Sequence, residues 1–169
     1  MMINRLVVKT WLLVSVFALI YGLFLLLPPI PALRNIDDYL PFHTVMETFS
    51  VVVSCMIFGI IWNTCDADRP RNLTILGAAF LSVGLLDFAH LMSYEGMPDF
   101  FTPSGPQKGI VFWLAARFVL AATMLASAVL TWRPFASAIG RHRLLALFLT
   151  ATALVYWAEL AHPAWLPVF

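Results

Sequence analysis

Five apolar runs divide this chain, each near the roughly twenty residues that carry a helix across the hydrocarbon core of a bilayer. No other feature constrains the fold as much. They are Leu6 to Leu27, Phe42 to Trp62, Leu73 to Tyr94, Ile110 to Trp132 and Leu144 to Ala161. The connections are short and carry helix breakers: Pro28, Pro29 and Pro31 after the first run, then "DADRPRN", "GMPDFFTPSGPQKG" and "RPFASAIGRHR". Composition agrees, with 62% hydrophobic and 11% charged residues, against about 25% charged in a soluble domain. The expected fold is therefore all-α, a polytopic transmembrane bundle of five spanning helices forming a single integral-membrane domain over residues 1–169. The first run exceeds the apolar region of a signal peptide and is followed by prolines instead of a small-residue cleavage site, so it is read as a helix.

Basic residues orient the bundle. Arg5 and Lys9 precede the first run, Arg69 and Arg71 join the second to the third, and Arg133, Arg141 and Arg143 join the fourth to the fifth, whereas the alternate loops hold only Arg34 and Lys108. The positive-inside rule then puts the N-terminus in the cytoplasm, and five crossings bring the tail "HPAWLPVF" out on the far side. His142, within "GRHR", reads as part of a basic anchor at the cytoplasmic interface.

That orientation collects the ionisable groups near the outer face. His43 and Glu47 open the second span, Asp87, His90 and Tyr94 close the third, Trp113 and Arg117 lie in the first turns of the fourth, and Glu159 and His162 end the fifth. Read this way, they form one layer within about 10 Å of the outer interface at 1.5 Å per residue. Each pair is spaced three or four residues apart, which puts both members on one helix face. A charged side chain at membrane depth costs about 3 kcal/mol or more unless it is paired or faces a polar cavity, so such groups point to function.

Part of this layer has a purely structural explanation. Arg117 paired with Asp87 or with Glu47 is a buried ion pair that fixes helix register. That leaves imidazoles and a carboxylate over, the donor set for zinc, copper, nickel or iron, with His43, Glu47, His90 and His162 as candidate ligands. Met46, Met92 and Met97 share the layer and suit cuprous copper, although a methionine in an apolar helix is ordinarily a packing residue. Haem between His43 and His90 is a second cofactor candidate. A small anion or polar organic ligand held by Arg117, Trp113 and Tyr94 is the third. "PDFF" is expected to fold Phe100 and Phe101 over the mouth of the site as an apolar lid.

Other chemistry is excluded or weak. The net charge of +1 offers no basic patch for nucleic acid. No Gly-rich phosphate loop and no Ser/His/Asp arrangement is present, so the chain is not read as an enzyme. Transport needs polar groups through both halves of the bilayer, whereas these gather in one. Cys55 and Cys65, ten residues apart on a helix, would lie about 15 Å from each other and are read as packing residues.

Four stretches carry a family resemblance: "HTVMETFSVVVSCMIFGIIWNT", "GLLDFAHLMSYEGMPDFF", "FWLAARFVLAATML" and "AELAHPAWLP". In order they give His-x-x-x-Glu, Leu-x-x-x-His with Tyr-x-Gly-Met-Pro, Phe-Trp-x-x-x-Arg and a late His-Pro. Together they resemble the bacterial membrane-associated sensor (MASE) domains of the third class, from Pro41 onward. The resemblance implies a sensory input module of the bacterial inner (cell) membrane; combined with the layer of ionisable groups, the expected protein is a multi-pass sensor that binds a small ligand or metal ion at its periplasmic face. The resemblance also implies signalling to a cytoplasmic output, a kinase or a cyclic-di-GMP enzyme. In such proteins further helices precede the output domain, whereas this sequence ends at "LPVF", so the output is expected outside it or on another subunit. A homodimer is a candidate assembly. The competing readings are a haem- or metal-binding subunit of a redox complex, and a structural subunit.

Overall fold

The computed structural model describes the backbone of residues 2–27, 36–64, 70–133 and 138–169, and the side chains of 11–27, 39–64, 70–133 and 139–169. Arg5, Lys9, Arg34, Arg69, the prolines at 28, 29 and 31, and Cys65 fall outside the described side chains. The described residues form five α-helices, α1 (Met2–Leu26), α2 (Ile36–Thr64), α3 (Arg71–Ser93), α4 (Pro106–Val129) and α5 (Ala138–Ala161), followed by a 3₁₀ turn at Pro163–Trp165. Four of them, over Tyr39–Thr64, Arg71–Ser93, Pro106–Val129 and Ile139–Ala161, are long and apolar enough to cross a membrane. The apolar part of α1 among the described residues, Trp11–Leu26, is shorter. Residues 1–39 and 40–169 are separate compact units, and the packing described below belongs to the second.

Helix starts lie earlier than the apolar runs alone suggest. α4 begins at Pro106, four residues before the apolar run, because proline at the first helical position already has the right φ and its missing N–H would be unpaired there anyway. α2 begins at Ile36 and carries Pro41 inside it, where proline removes one backbone hydrogen bond. α5 takes in "GRHR".

α3 is the central helix, with buried residues along its whole length. Its small residues let neighbours approach closely, the usual device where lipid removes any hydrophobic drive for helix association. A Cβ at Gly77 would stand 2.8 Å from Ile61 Cγ2, and one at Gly84 3.3 Å from both Ser54 Cβ and Cys55 Sγ, so α2 lies hard against α3. On the other side Val83, Leu86, Ala89, Phe112 and Ala116 form a buried core against which Tyr156 and Leu160 of α5 pack. The Tyr156 hydroxyl donates to the Leu85 carbonyl at 2.5 Å.

Polar contacts pin the end of the bundle where α3 begins. Fully buried Asn72 donates through Nδ2 to the Ser127 and Leu130 carbonyls at 2.9 and 3.1 Å, satisfying carbonyls that the last turn of α4 leaves without helical partners. Arg141 donates to the Trp62 carbonyl at 2.8 Å with its guanidinium 4.2 Å from that indole ring, and His142 meets the same ring edge-on. The "GRHR" segment therefore ties α5 to the end of α2 in addition to carrying charge at an interface.

Candidate functional site

At the opposite end of the bundle α2 and α3 bring His43, Glu47 and His90 together. One ligand atom from each lies within 4.8 Å of the other two. The helical spacings explain this: His43 and Glu47 are one turn apart on α2, and the close approach of α2 to α3 sets that face against His90. The two imidazoles meet edge to face at 5.4 Å, His43 Nε2 lies 3.9 Å from Glu47 Oε1, and Tyr94 stacks on His43 at 4.0 Å. Both histidines are buried.

His90 is also held from behind. Its Nδ1 lies 2.8 Å from the Gly109 carbonyl of α4. A carbonyl can only accept, so Nδ1 carries the hydrogen and Nε2 keeps its lone pair for whatever occupies the cluster. Orientation of a ligating imidazole by a backbone carbonyl is the usual outer-shell arrangement at metal sites. No sequence signal marks Gly109, because the group involved is its backbone and only packing brings α4 there.

Arg117 pairs with Asp87. Its Nη2 sits 2.5 and 2.7 Å from the two carboxylate oxygens, Asp87 being fully buried and the Arg117 side chain 39% exposed. The guanidinium lies 5.9 Å from the Trp113 ring. Because Asp87 neutralises Arg117, Glu47 remains with the two imidazoles, and the cluster has the charge that favours a cation. Three donors converging from two helices suit a single ion with an exchangeable position left open. The two imidazoles already meet edge to face at 5.4 Å, so a macrocycle could enter between them only if α2 and α3 moved apart.

The other candidate residues are elsewhere. His162 is not in the cluster: α5 ends at Ala161, and the following 3₁₀ turn folds Trp165 onto the imidazole at 4.2 Å, with Trp157 edge-on at 4.6 Å. Glu159 is buried and shares a separate cavity of about 300 Å³ with Lys108, Gln107 and Pro163. The sequence alone places Lys108 in a loop. It is buried in the first turn of α4 and donates to the Phe100 and Thr102 carbonyls at 2.6 and 3.0 Å. Pro106 was the signal that would have put it on a helix. The single layer of ionisable groups also splits in depth, since a helix that begins at 106 carries Arg117 about 16 Å along its axis, near its middle.

The expected lid does not form. Phe100 packs against the core and meets Phe88 edge-on at 6.2 Å, and Phe88 is two residues from His90, on the opposite face of α3. Phe101 is 83% exposed. The loop is shaped instead by a turn closed by the Met97 N–H on the Tyr94 carbonyl at 3.1 Å, with Gly96 at φ +90°, a conformation that side-chain-bearing residues rarely adopt. Ser104 bonds the Met92 and Pro98 carbonyls.

Four membrane-length apolar helices with a polar cluster at one end of their bundle define a multi-pass membrane protein. A family model, MASE3, membrane-associated sensor domain, matches residues 34–169, and the chain belongs to that family. No curated protein and no solved structure matches the chain.

Proposed function

We propose that this chain is the sensory input domain of a signalling protein of the inner (cell) membrane, and that its signal is occupancy of the His43, Glu47 and His90 cluster by a transition-metal ion. The observation that carries the reading is the convergence of two imidazoles and one carboxylate within 4.8 Å, with Arg117 already paired with Asp87. Zinc, cuprous copper and ferrous iron all accept such donors. His90 is bonded to α4 through Gly109, so an ion joining His43 to His90 links α2, α3 and α4. It would favour whichever arrangement of those helices holds the donors at bonding distance, and that differential binding is what shifts a two-state equilibrium. The shift would pass to a cytoplasmic kinase or cyclic-di-GMP output outside this sequence, with a homodimer as the natural unit for such transmission.

The test is direct. Purified wild-type chain equilibrated separately with zinc, with cuprous copper under reducing conditions and with ferrous iron, then freed of unbound ion, should retain one equivalent of at least one of them by elemental analysis. Retention of none would sink the metal reading.

The reading includes five spans with the N-terminus in the cytoplasm, which puts the cluster on the periplasmic side. It is supported by the basic residues that join α2 to α3 and α4 to α5. Reporter fusions after Trp132 should therefore be active only as cytoplasmic reporters, and fusions after Asp99 only as periplasmic ones. The reverse pattern would turn the cluster toward the cytoplasm and make it a sensor of internal metal.

A further inference from the structure

Arg117 is only partly used by its ion pair. Nη2 serves both oxygens of Asp87, Nε is buried without a hydrogen-bond partner among the described residues, and no other acceptor there reaches the guanidinium. A guanidinium has five N–H donors, and an unmade hydrogen bond in a hydrocarbon surrounding is costly. Arg117 also lies about 16 Å along α4, near the middle of the span.

Beside it is a cavity of about 350 Å³ between α2, α3 and α4, walled by Met46, Phe49, Val53, Phe80 and Leu120, with Ser50 and the Asp87–Arg117 pair as its polar groups. Met46 and Phe49 are 53% and 67% exposed, so the cavity opens sideways at the apolar surface of the bundle. Its size falls within the roughly 300–1,000 Å³ usual for small-molecule sites. Three properties of an occupant follow. It must be lipid-soluble, because the opening faces the bilayer at mid-depth. It must carry a hydrogen-bond acceptor, because the unused groups of Arg117 are all donors. It should be neutral, because Asp87 already cancels the charge of Arg117 and a carboxylate would bring an uncompensated charge into the membrane.

We infer that this cavity is a second ligand site, distinct from the His43 cluster, for a neutral lipid-soluble carbonyl compound of the quinone class, whose carbonyl oxygen accepts from Arg117 while its ring lies among Phe49, Phe80 and Met46. A membrane sensor built this way reads the quinone content of the bilayer independently of any ion at the cluster.

The test uses the purified chain in detergent, decylubiquinone as probe and lauric acid as the anionic comparison, with dissociation constants read from saturable quenching of tryptophan fluorescence. Arg117→Lys keeps a cation beside Asp87 and loses the guanidinium fork. Ser50→Phe fills the cavity and leaves the ion pair intact. Wild type should bind decylubiquinone saturably and more tightly than laurate, and both variants should weaken quinone binding by about tenfold or more, the loss expected for a hydrogen bond to a charged group. Should Arg117→Lys fail to fold, as judged by gel filtration and circular dichroism, Ser50→Phe carries the result. Absence of saturable quenching, equal constants in wild type and Ser50→Phe, or tighter binding of laurate than of the quinone would each overturn the inference. None of these measurements depends on metal at His43, so its failure is separate from failure of the metal reading.

Discussion

Arg117→Ala should lower the stability of the bundle by about 3 kcal/mol, the low end of the range for breaking a buried pair, because the guanidinium is 39% exposed while Asp87 is fully buried. The loss arises from the carboxylate left behind. Asp87 is fully buried and Arg117 is its one ion-pair partner among the described residues, so without Arg117 it stays as an uncompensated charge. For a chain of this length the melting temperature should fall by about 6 to 12 °C, measured in detergent beside Met124→Ala, a change at an exposed apolar position. Removing both charges in Asp87→Leu with Arg117→Leu should recover much of the loss, since the pair itself adds little once its desolvation is counted. A melting temperature unchanged in Arg117→Ala would mean that Asp87 is satisfied some other way, and the ion pair would then have no part in holding α3 to α4.

The second large effect concerns the ion. His43→Ala and His90→Ala should each weaken metal binding by at least about tenfold, because deletion of a direct ligand is no milder than deletion of the groups that orient one. The double variant should retain none. His162→Ala should leave affinity unchanged, since that ring belongs to the stack with Trp157 and Trp165, and so should His142→Ala, whose ring lies against Trp62. Isothermal titration with the ion that wild type retains would decide this. If His162→Ala costs as much as His90→Ala, α5 must bring its imidazole to the cluster in the bound state. If no single variant weakens binding, the retained ion is held elsewhere.

The amino-acid sequence by itself determined that the protein is helical and built for a membrane. Backbone N–H and C=O groups in hydrocarbon must be satisfied within a helix or a closed barrel, so twenty-residue apolar runs between prolines and glycines leave little choice. Spacing of three or four residues equally determined which side chains share a helix face, and so His43 with Glu47 and Asp87 with His90 were legible from residue numbers. Which faces meet was decided only by tertiary packing. The pairing of Arg117 with Asp87, where Glu47 was an equal candidate, follows from the depth at which α4 sits against α3. The hold of Gly109 on His90 is a backbone contact that no side-chain pattern announces. His162 shows the limit from the other direction: its three-residue spacing from Glu159 held only while α5 remained a helix. Pro163, opening a tighter turn, rotated the imidazole onto Trp165 and away from the cluster.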